Sequence, residues 1–502
     1  MTEDTDGRTP LSAAACAATL AVLTTALVAV RLSGPLNLLD NEYRIGASVL
    51  DVLQNHNWLC PHDALGHTDK PPLLVWLSAL AALPTGHVTP FTIYLPSSVA
   101  VFATSLLVLF AGRRYFDVRT GVFAALSYLL CDAGARQVAT ARWDALFAFT
   151  VCLTALAALR AWIDDGSWTP FWLAGALATL TKGPLGVALG AFGLLAVFWE
   201  RLSGHPAPTR GSQRTGVILY LVIVLGWFGA AVAVEGRQLV DEMLVGELVG
   251  HAVEHAPFRR FFQPAGDFLA MAAPWSIFAC LALVRVVSRW SMDQRTRRVE
   301  RFLWCWFVGG LLLFSISPHN ASRLLYPILP PAALLTGREL SERTMHVGRR
   351  TLRVAMAAVA SVALGVSTVR YHHSLLKDPE VQRTTALRNV ALLVRNRVGD
   401  GFPVAVVDAP YAFQLLLNTR RPAVSFRDAA ALLRGEAAAL VVVQDVGRLR
   451  AELGSDRDRV WTLAQGDVEG RPWVQLVGNR PTLAAHDVPP LDAAETRRVG
   501  AP

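Results

Sequence analysis

The chain has 502 residues, 53% hydrophobic and 17% charged, with a formal net charge of +8 and a mean hydropathy of +0.37. Soluble domains carry about 25% charged residues, so the composition excludes an ordinary soluble domain and points to a polytopic membrane protein. The positive charge is not a nucleic-acid footprint, because the arginines lie in short loops between apolar runs, where they set membrane orientation.

The first apolar run lacks a small-residue cleavage site with a mature domain behind it and reads as a retained helix. A span needs about 20 mostly apolar residues. Candidates near 11–32, 93–112, 119–138, 143–161, 169–181, 184–199, 215–234, 267–287, 302–317, 324–337 and 351–369 give about eleven transmembrane helices. The 169–199 stretch reads as two short spans broken at Lys182-Gly183-Pro184, and Leu73 to Leu83 is short enough to lie in the interface. With a cytoplasmic N-terminus, about 19 Lys and Arg fall inside and about 10 outside before residue 370. An odd number of spans then places the rest of the chain outside a cell membrane.

From about 371 short strand patterns ("FPVAVVD", "PAVSF", "ALVVVQD", "RVWTLA", "VQLVGNR") alternate with helical ones ("TTALRNVALLVRNRV", "PYAFQLLLNT", "RDAAALLRGE", "VGRLRAEL"). That alternation predicts a small α/β domain with a largely parallel sheet. The expected division is a transmembrane domain over 1–370, with a first outer loop at 33–92, an extracytoplasmic α/β domain over 371–480 and a disordered polar tail over 481–502. The six cysteines show no CxxC and read as small apolar residues.

Ionisable residues near membrane depth need a partner or a function, and in this orientation the unusual ones gather outside. Asp40, Glu42 and Arg44 in "LLDNEYR" follow the first span. They either stop that helix or set an acid beside a cation, as general-base chemistry requires. Only three of the 47 basic residues are lysines: Lys70, Lys182 and Lys377. Lys70 lies in "TDKPP", where Asp69 and the prolines suit a helix start but the lysine suits a phosphate. Lys182 lies at the break in "LTKGPLG", either snorkelling or binding an anion. Arg142 and Asp144 in "TARWDALF" are a cap, a local ion pair or site residues. His251 and His255 have metal-ligand spacing without an HExxH, so a divalent metal stays open. Arg259 and Arg260 in the same loop suit an anion. Arg323 and Tyr326 begin a late, proline-interrupted span of the kind that lines a cavity.

In this order the motifs resemble the polyprenyl-phosphate-sugar-dependent membrane glycosyltransferases of the C-type fold, which include the aminoarabinose transferase of lipid A and the protein O-mannosyltransferases. The resemblance covers about residues 10 to 340 and is strongest in 40–80 and 175–190. It implies a lipid-linked sugar donor used from the outer side, inverting transfer to an acceptor hydroxyl on lipid, protein or envelope glycan, and a first-loop acid as base. Carried over, Lys70 binds the lipid phosphate, Asp69 is the acid before Lys-Pro, and Asp144 is the second-loop acid. Lys182, Arg323 and Tyr326 line the donor pocket. The family pattern has Asp where this chain has Asn41, so the base falls to Asp40 through a one-residue slip, to Glu42 or to Asp69. A phosphosugar transporter, or a silent relative that only binds the lipid, is the alternative. Neither a P-loop nor a dinucleotide motif is present, as expected where the donor is already activated.

Overall fold

The computed structural model describes residues 13–34, 41–63, 68, 70–241, 243, 261–289, 291–317, 321–374, 378–398, 404–407, 424–468, 471–479 and 482. In chain order the helices are α1 (Ala13–Ser33), α2 (Asn41–Asn55), α3 (Leu73–Ala82), α4 (Pro90–Tyr115), α5 (Val118–Leu130), α6 (Asp132–Gln137), α7 (Trp143–Ile163), α8 (Thr169–Lys182) and α9 (Leu185–Ala191). After a 3-10 turn (Phe192–Leu194) come α10 (Leu195–Leu202), α11 (Arg214–Glu235), α12 (Arg237–Val240), α13 (Gln263–Met271), α14 (Ser276–Ser288) and α15 (Gln294–Ile316). A 3-10 helix (Ser322–Ile328) leads into α16 (Leu329–Arg343), followed by α17 (Arg349–Val369). The chain forms two compact units. One comprises Met1–Arg31, Thr68–Leu77 and Tyr94–Thr368; the other comprises Leu32–His67, Ser78–Ile93 and Val369–Pro502.

This is a multi-pass membrane protein. Among the described residues seven helices are long and apolar enough to cross a bilayer, or eight counting the pair α13 and α14, which meet at 120°. The 267–287 run, expected as one helix, is therefore two: Pro274 lies at their junction and offers no amide donor to continue the ladder. The 119–138 run is also divided. α5 stops at Leu130, and Cys131, in extended backbone, caps α6 by accepting from the Gly134 amide. The expected break after Lys182 is present: Gly183 takes φ +91°, which side-chain-bearing residues rarely adopt, and Pro184 opens the next helix. α3 matches the short apolar piece expected at 73–83.

Helix starts follow local chemistry. Asp117 accepts from the amide and hydroxyl of Thr120 to begin α5. Asp293 does the same with Thr296 to begin α15, and those hydrogen bonds hold its carboxyl below the usual carboxylate range. α5 packs on α16 at close range, because a Cβ on Gly337 would stand 2.6 Å from both the Thr120 carbonyl oxygen and the Ala124 nitrogen. Where α14 ends and α15 begins, Arg285 bridges Glu300 at 3.1 Å, Glu339 at 3.1 Å and Glu342 at 2.5 Å. The arginines of these loops are thus tied to carboxylates.

In the second unit α18 (Pro379–Val398) precedes a four-stranded sheet of β1 (Val404–Val407), β2 (Leu440–Val443), β3 (Val460–Val468) and β4 (Arg471–Asn479), in the order β1-β2-β4-β3. α19 (Phe426–Arg434) and α20 (Val446–Leu453) complete it, and Ala429, Leu433, Val441, Val443 and Leu449 form its core. β1 and β2 are parallel, but β2–β4 and β3–β4 are antiparallel. The expectation of a largely parallel sheet is corrected, because β3 and β4 are separated by too few residues for a crossover. "PAVSF" is not a strand in its described part: Val424 makes one backbone bond to Val406, and Ser425 caps α19. "PYAFQLLLNT" and the 483–502 tail lie outside the described residues.

Gly337→Ala is expected to force α5 and α16 apart and destabilise the protein by about 1–3 kcal/mol. Gly365→Ala, with no atom near the new methyl, should be neutral or slightly stabilising. Thermal unfolding in detergent distinguishes the two, and equal midpoints would contradict the packing.

Candidate functional site

In the first unit α7 and α8 pack as an antiparallel pair, so the start of α7 and the end of α8 share one end. Asp144 is in the first turn of α7 and Lys182 is the last residue of α8. Each charge sits where its helix dipole favours it. Lys182 Nζ donates to Asp144 Oδ1 at 2.6 Å and lies 5.8 Å from the Phe147 ring centroid. The Asp144 side chain is 7% exposed and that of Lys182 21%, so the ammonium keeps an open side. An ammonium has three donors. Asp144 is its one hydrogen-bond partner among the described residues, which leaves two donors for a second anion.

Tyr326, buried on the 3-10 helix, lies within electrostatic reach of Gln137 at the end of α6, of Arg136 and of Asp144. Arg136 pairs with Asp132 at 2.7 Å. Arg323, half-buried one turn before Tyr326, has no ion pair among the described residues. Asp144 thus joins the Lys182 ammonium, at hydrogen-bond distance, with Tyr326, within electrostatic reach.

In the second unit Glu42 is buried in the first turn of α2, which Asn41 begins. Two residues on, Arg44 donates from Nε and Nη2 to Asp63 Oδ2 at 3.2 and 3.1 Å. The intervening loop is tied to Asp51, which is 1% exposed. Its carboxylate accepts from Asn55 Nδ2 at 2.7 Å, Asn57 Nδ2 at 3.0 Å and the His62 amide at 2.8 Å. Asp51 therefore positions Asp63, and through it Arg44.

Lys70 is half-buried just ahead of α3. Asp40, Asp69, His251, His255 and Arg259 lie outside the described residues. Among the described residues no three His, Cys, Asp or Glu side chains converge as a metal site. Sequence reasoning missed Asp51, Arg136 and Gln137. Asp51 had a signal: an acid inside the apolar run "SVLDVL" is buried only with partners. Gln137 had none, because it lay inside a presumed span.

Removing either charge of the Lys182–Asp144 pair strands its partner. Asp144→Asn or Lys182→Met should each destabilise by about 1–3 kcal/mol, less than a fully buried pair because Lys182 is partly exposed. The double variant should lose less than the sum. Thermal unfolding of the four proteins measures this coupling, and additive losses would contradict it.

Residues 69–228 match the family model described as dolichyl-phosphate-mannose-protein mannosyltransferase. The undecaprenyl phosphate-alpha-4-amino-4-deoxy-L-arabinose arabinosyl transferase of Pseudomonas paraeruginosa is 29% identical over 362 residues, 66% of this chain and 62% of that protein. The enzyme of the same name from Pseudomonas savastanoi is 27% identical over 359 residues, 68% of this chain and 64% of that protein. The chain thus spans less than two thirds of the length of these relatives. ArnT from Cupriavidus metallidurans in the apo state superposes with a TM-score of 0.69 at 16% identity, covering 94% of this chain and 99% of that one. The same protein bound to undecaprenyl phosphate gives 0.70 at 15% identity, covering 92% and 97%. The chain has the fold of these structures, and it resembles the C-type-fold membrane glycosyltransferases that use polyprenyl-phosphate sugars, as its motifs indicate.

Proposed function

We propose that this protein is a membrane glycosyltransferase that moves a sugar from a polyprenyl-phosphate donor to an acceptor hydroxyl, with inversion at the anomeric carbon. The observation that carries this reading is the meeting of Asp144, Lys182 and Tyr326 at one end of the α7–α8 pair. It occurs in a fold shared with ArnT, which has been solved bound to undecaprenyl phosphate.

The chemistry follows from the charges. A sugar phosphate is an activated donor. The acceptor oxygen attacks the anomeric carbon as its proton passes to a carboxylate, while the bond from that carbon to the phosphate oxygen breaks and its electron pair leaves with the lipid phosphate. Negative charge grows on that phosphate, where fixed cations help most. Lys182, with two donors to spare, and Arg323 receive it in this reading, together with Lys70 and Arg259. Tyr326 lines the pocket and Asp144 holds Lys182 in place. Asn41 cannot accept a proton. Glu42, buried in the first turn of α2 and two residues before Arg44, takes the role of base ahead of Asp40 and Asp69. Arg44 is fixed by Asp63 beside it.

In the same reading residues 1–370 form the transmembrane transferase domain, 371–480 an extracytoplasmic α/β domain and 481–502 its tail. About eleven crossings result when α5, α8 and α16 are added to the seven long helices and the bent pair. The loop charges favour a cytoplasmic N-terminus in the cell membrane. The acceptor is a hydroxyl of a lipid, a protein or an envelope glycan. A divalent metal enters this reading through the spacing of His251 and His255, and chelation during the assay measures whether it contributes.

Purified protein given labelled undecaprenyl-phosphate sugars and envelope acceptors should form a glycosylated product. Glu42→Gln should slow transfer at least about a hundredfold, as expected for loss of a general base. Lys70→Ala should abolish turnover. If Glu42→Gln is fully active and Asp40→Asn is dead, the base is Asp40. If no donor is consumed, the transferase reading fails.

A further inference from the structure

Where α10 ends and α15 begins, three arginines converge on one acid. Glu200 is fully buried, and Arg301, 1% exposed, donates from Nη1 to its Oε1 at 2.6 Å and to Ser203 Oγ at 3.1 Å. Arg297 donates to both oxygens of the same carboxylate, from Nε at 3.4 Å and Nη2 at 3.5 Å, and Arg298 Nε lies 3.5 Å from Oε2, lengths at which a hydrogen bond is weak. Arg301 therefore neutralises most of Glu200, and two positive charges remain. Arg298 Nε is buried and has no hydrogen-bond acceptor.

The surroundings are those of a lipid–water boundary. Leu195, Phe198 and Leu202 are 47%, 62% and 88% exposed and follow the i, i+3, i+7 spacing of one helix face. Trp199 and Trp304 meet edge to face at 5.1 Å, and the Arg301 guanidinium lies 4.8 Å from the Trp199 ring centroid. Tryptophans at span ends mark the headgroup level. An apolar helix face, then a tryptophan pair, then surplus arginines repeat the order of acyl chain, glycerol and phosphate in a phospholipid.

We infer that this corner binds the headgroup of a doubly anionic phospholipid, with acyl chains along Leu195, Phe198 and Leu202. Two phosphates match the net charge of two that three arginines leave on one carboxylate. A zwitterionic lipid would bring its own cation against them, and a single phosphate would leave one unmatched. None of these residues belongs to the Asp144–Lys182 group, so the inference stands apart from the transfer reaction.

The test uses the delipidated full-length protein in detergent, with native mass spectrometry reading retained lipid. The probes are cardiolipin, phosphatidylglycerol, phosphatidylcholine and inorganic phosphate as competitor. Cardiolipin should bind tightest. Arg297→Gln and Arg298→Gln should each weaken it about fivefold, and together about thirtyfold, while the Arg301–Glu200 pair keeps the lipid-free unfolding midpoint unchanged. Leu202→Glu, at an exposed position outside the ion pairs, should weaken cardiolipin about fivefold or more without affecting folding. Cardiolipin retained no better than phosphatidylcholine, or equally by all variants, would overturn the inference. Displacement by excess inorganic phosphate would also overturn it, by identifying a soluble-anion site.

Discussion

The 2.6 Å contact between Lys182 and Asp144 is the constraint on which the candidate site depends. A buried carboxylate needs a cation, and a cation at the end of a span needs an anion. Their meeting requires that α7 begin and α8 end at the same level, which the antiparallel pair provides. It also requires that α8 stop at Lys182. Gly183, in left-handed backbone, and Pro184, without an amide hydrogen, stop it there. One short sequence, Lys-Gly-Pro, thus sets both the end of a helix and the position of a charge.

The two ends of the first unit handle charge differently. Where α14, α15 and α16 meet, Arg285 is enclosed by three carboxylates, and Asp164 takes both Arg114 and Arg295 at 2.9 and 2.6 Å. Those ion pairs knit loops together. The cations of the candidate site are less fully matched: at Lys182 two donors are open, and Arg323, on the 3-10 helix that carries Tyr326, has no ion pair among the described residues. Incomplete neutralisation is what an anionic ligand requires, since a fully paired cation would have to give up its partner to bind one.

Much of this was legible in the sequence. The rarity of lysine singled out Lys182, the Lys-Gly-Pro break predicted its helix end, and apolar run lengths located most helices. What was not legible depends on tertiary contacts. The runs at 119–138 and 267–287 had the composition of single spans, yet Cys131 caps a new helix and Pro274 divides the other. The parallel reading of the sheet comes from strand–helix alternation, and the short connection between β3 and β4 outweighs it, because a parallel crossover needs a dozen or more residues. Asp51 looked like part of an amphipathic helix, and its three hydrogen-bond donors come from residues 55–62, which carry no motif. Likewise the arginines read as orientation signals, and only folding shows that Glu200, Glu300, Glu339 and Asp164 hold them.

The central claim is that the Asp144–Lys182 group receives the phosphate of a lipid-linked sugar. An experimental structure of the protein with undecaprenyl phosphate tests it most directly. The account predicts a phosphate oxygen at about 2.7–3.2 Å from Lys182 Nζ, with the Asp144 contact retained. A phosphate seated elsewhere, with Lys182 bonded to Asp144 alone, would contradict it.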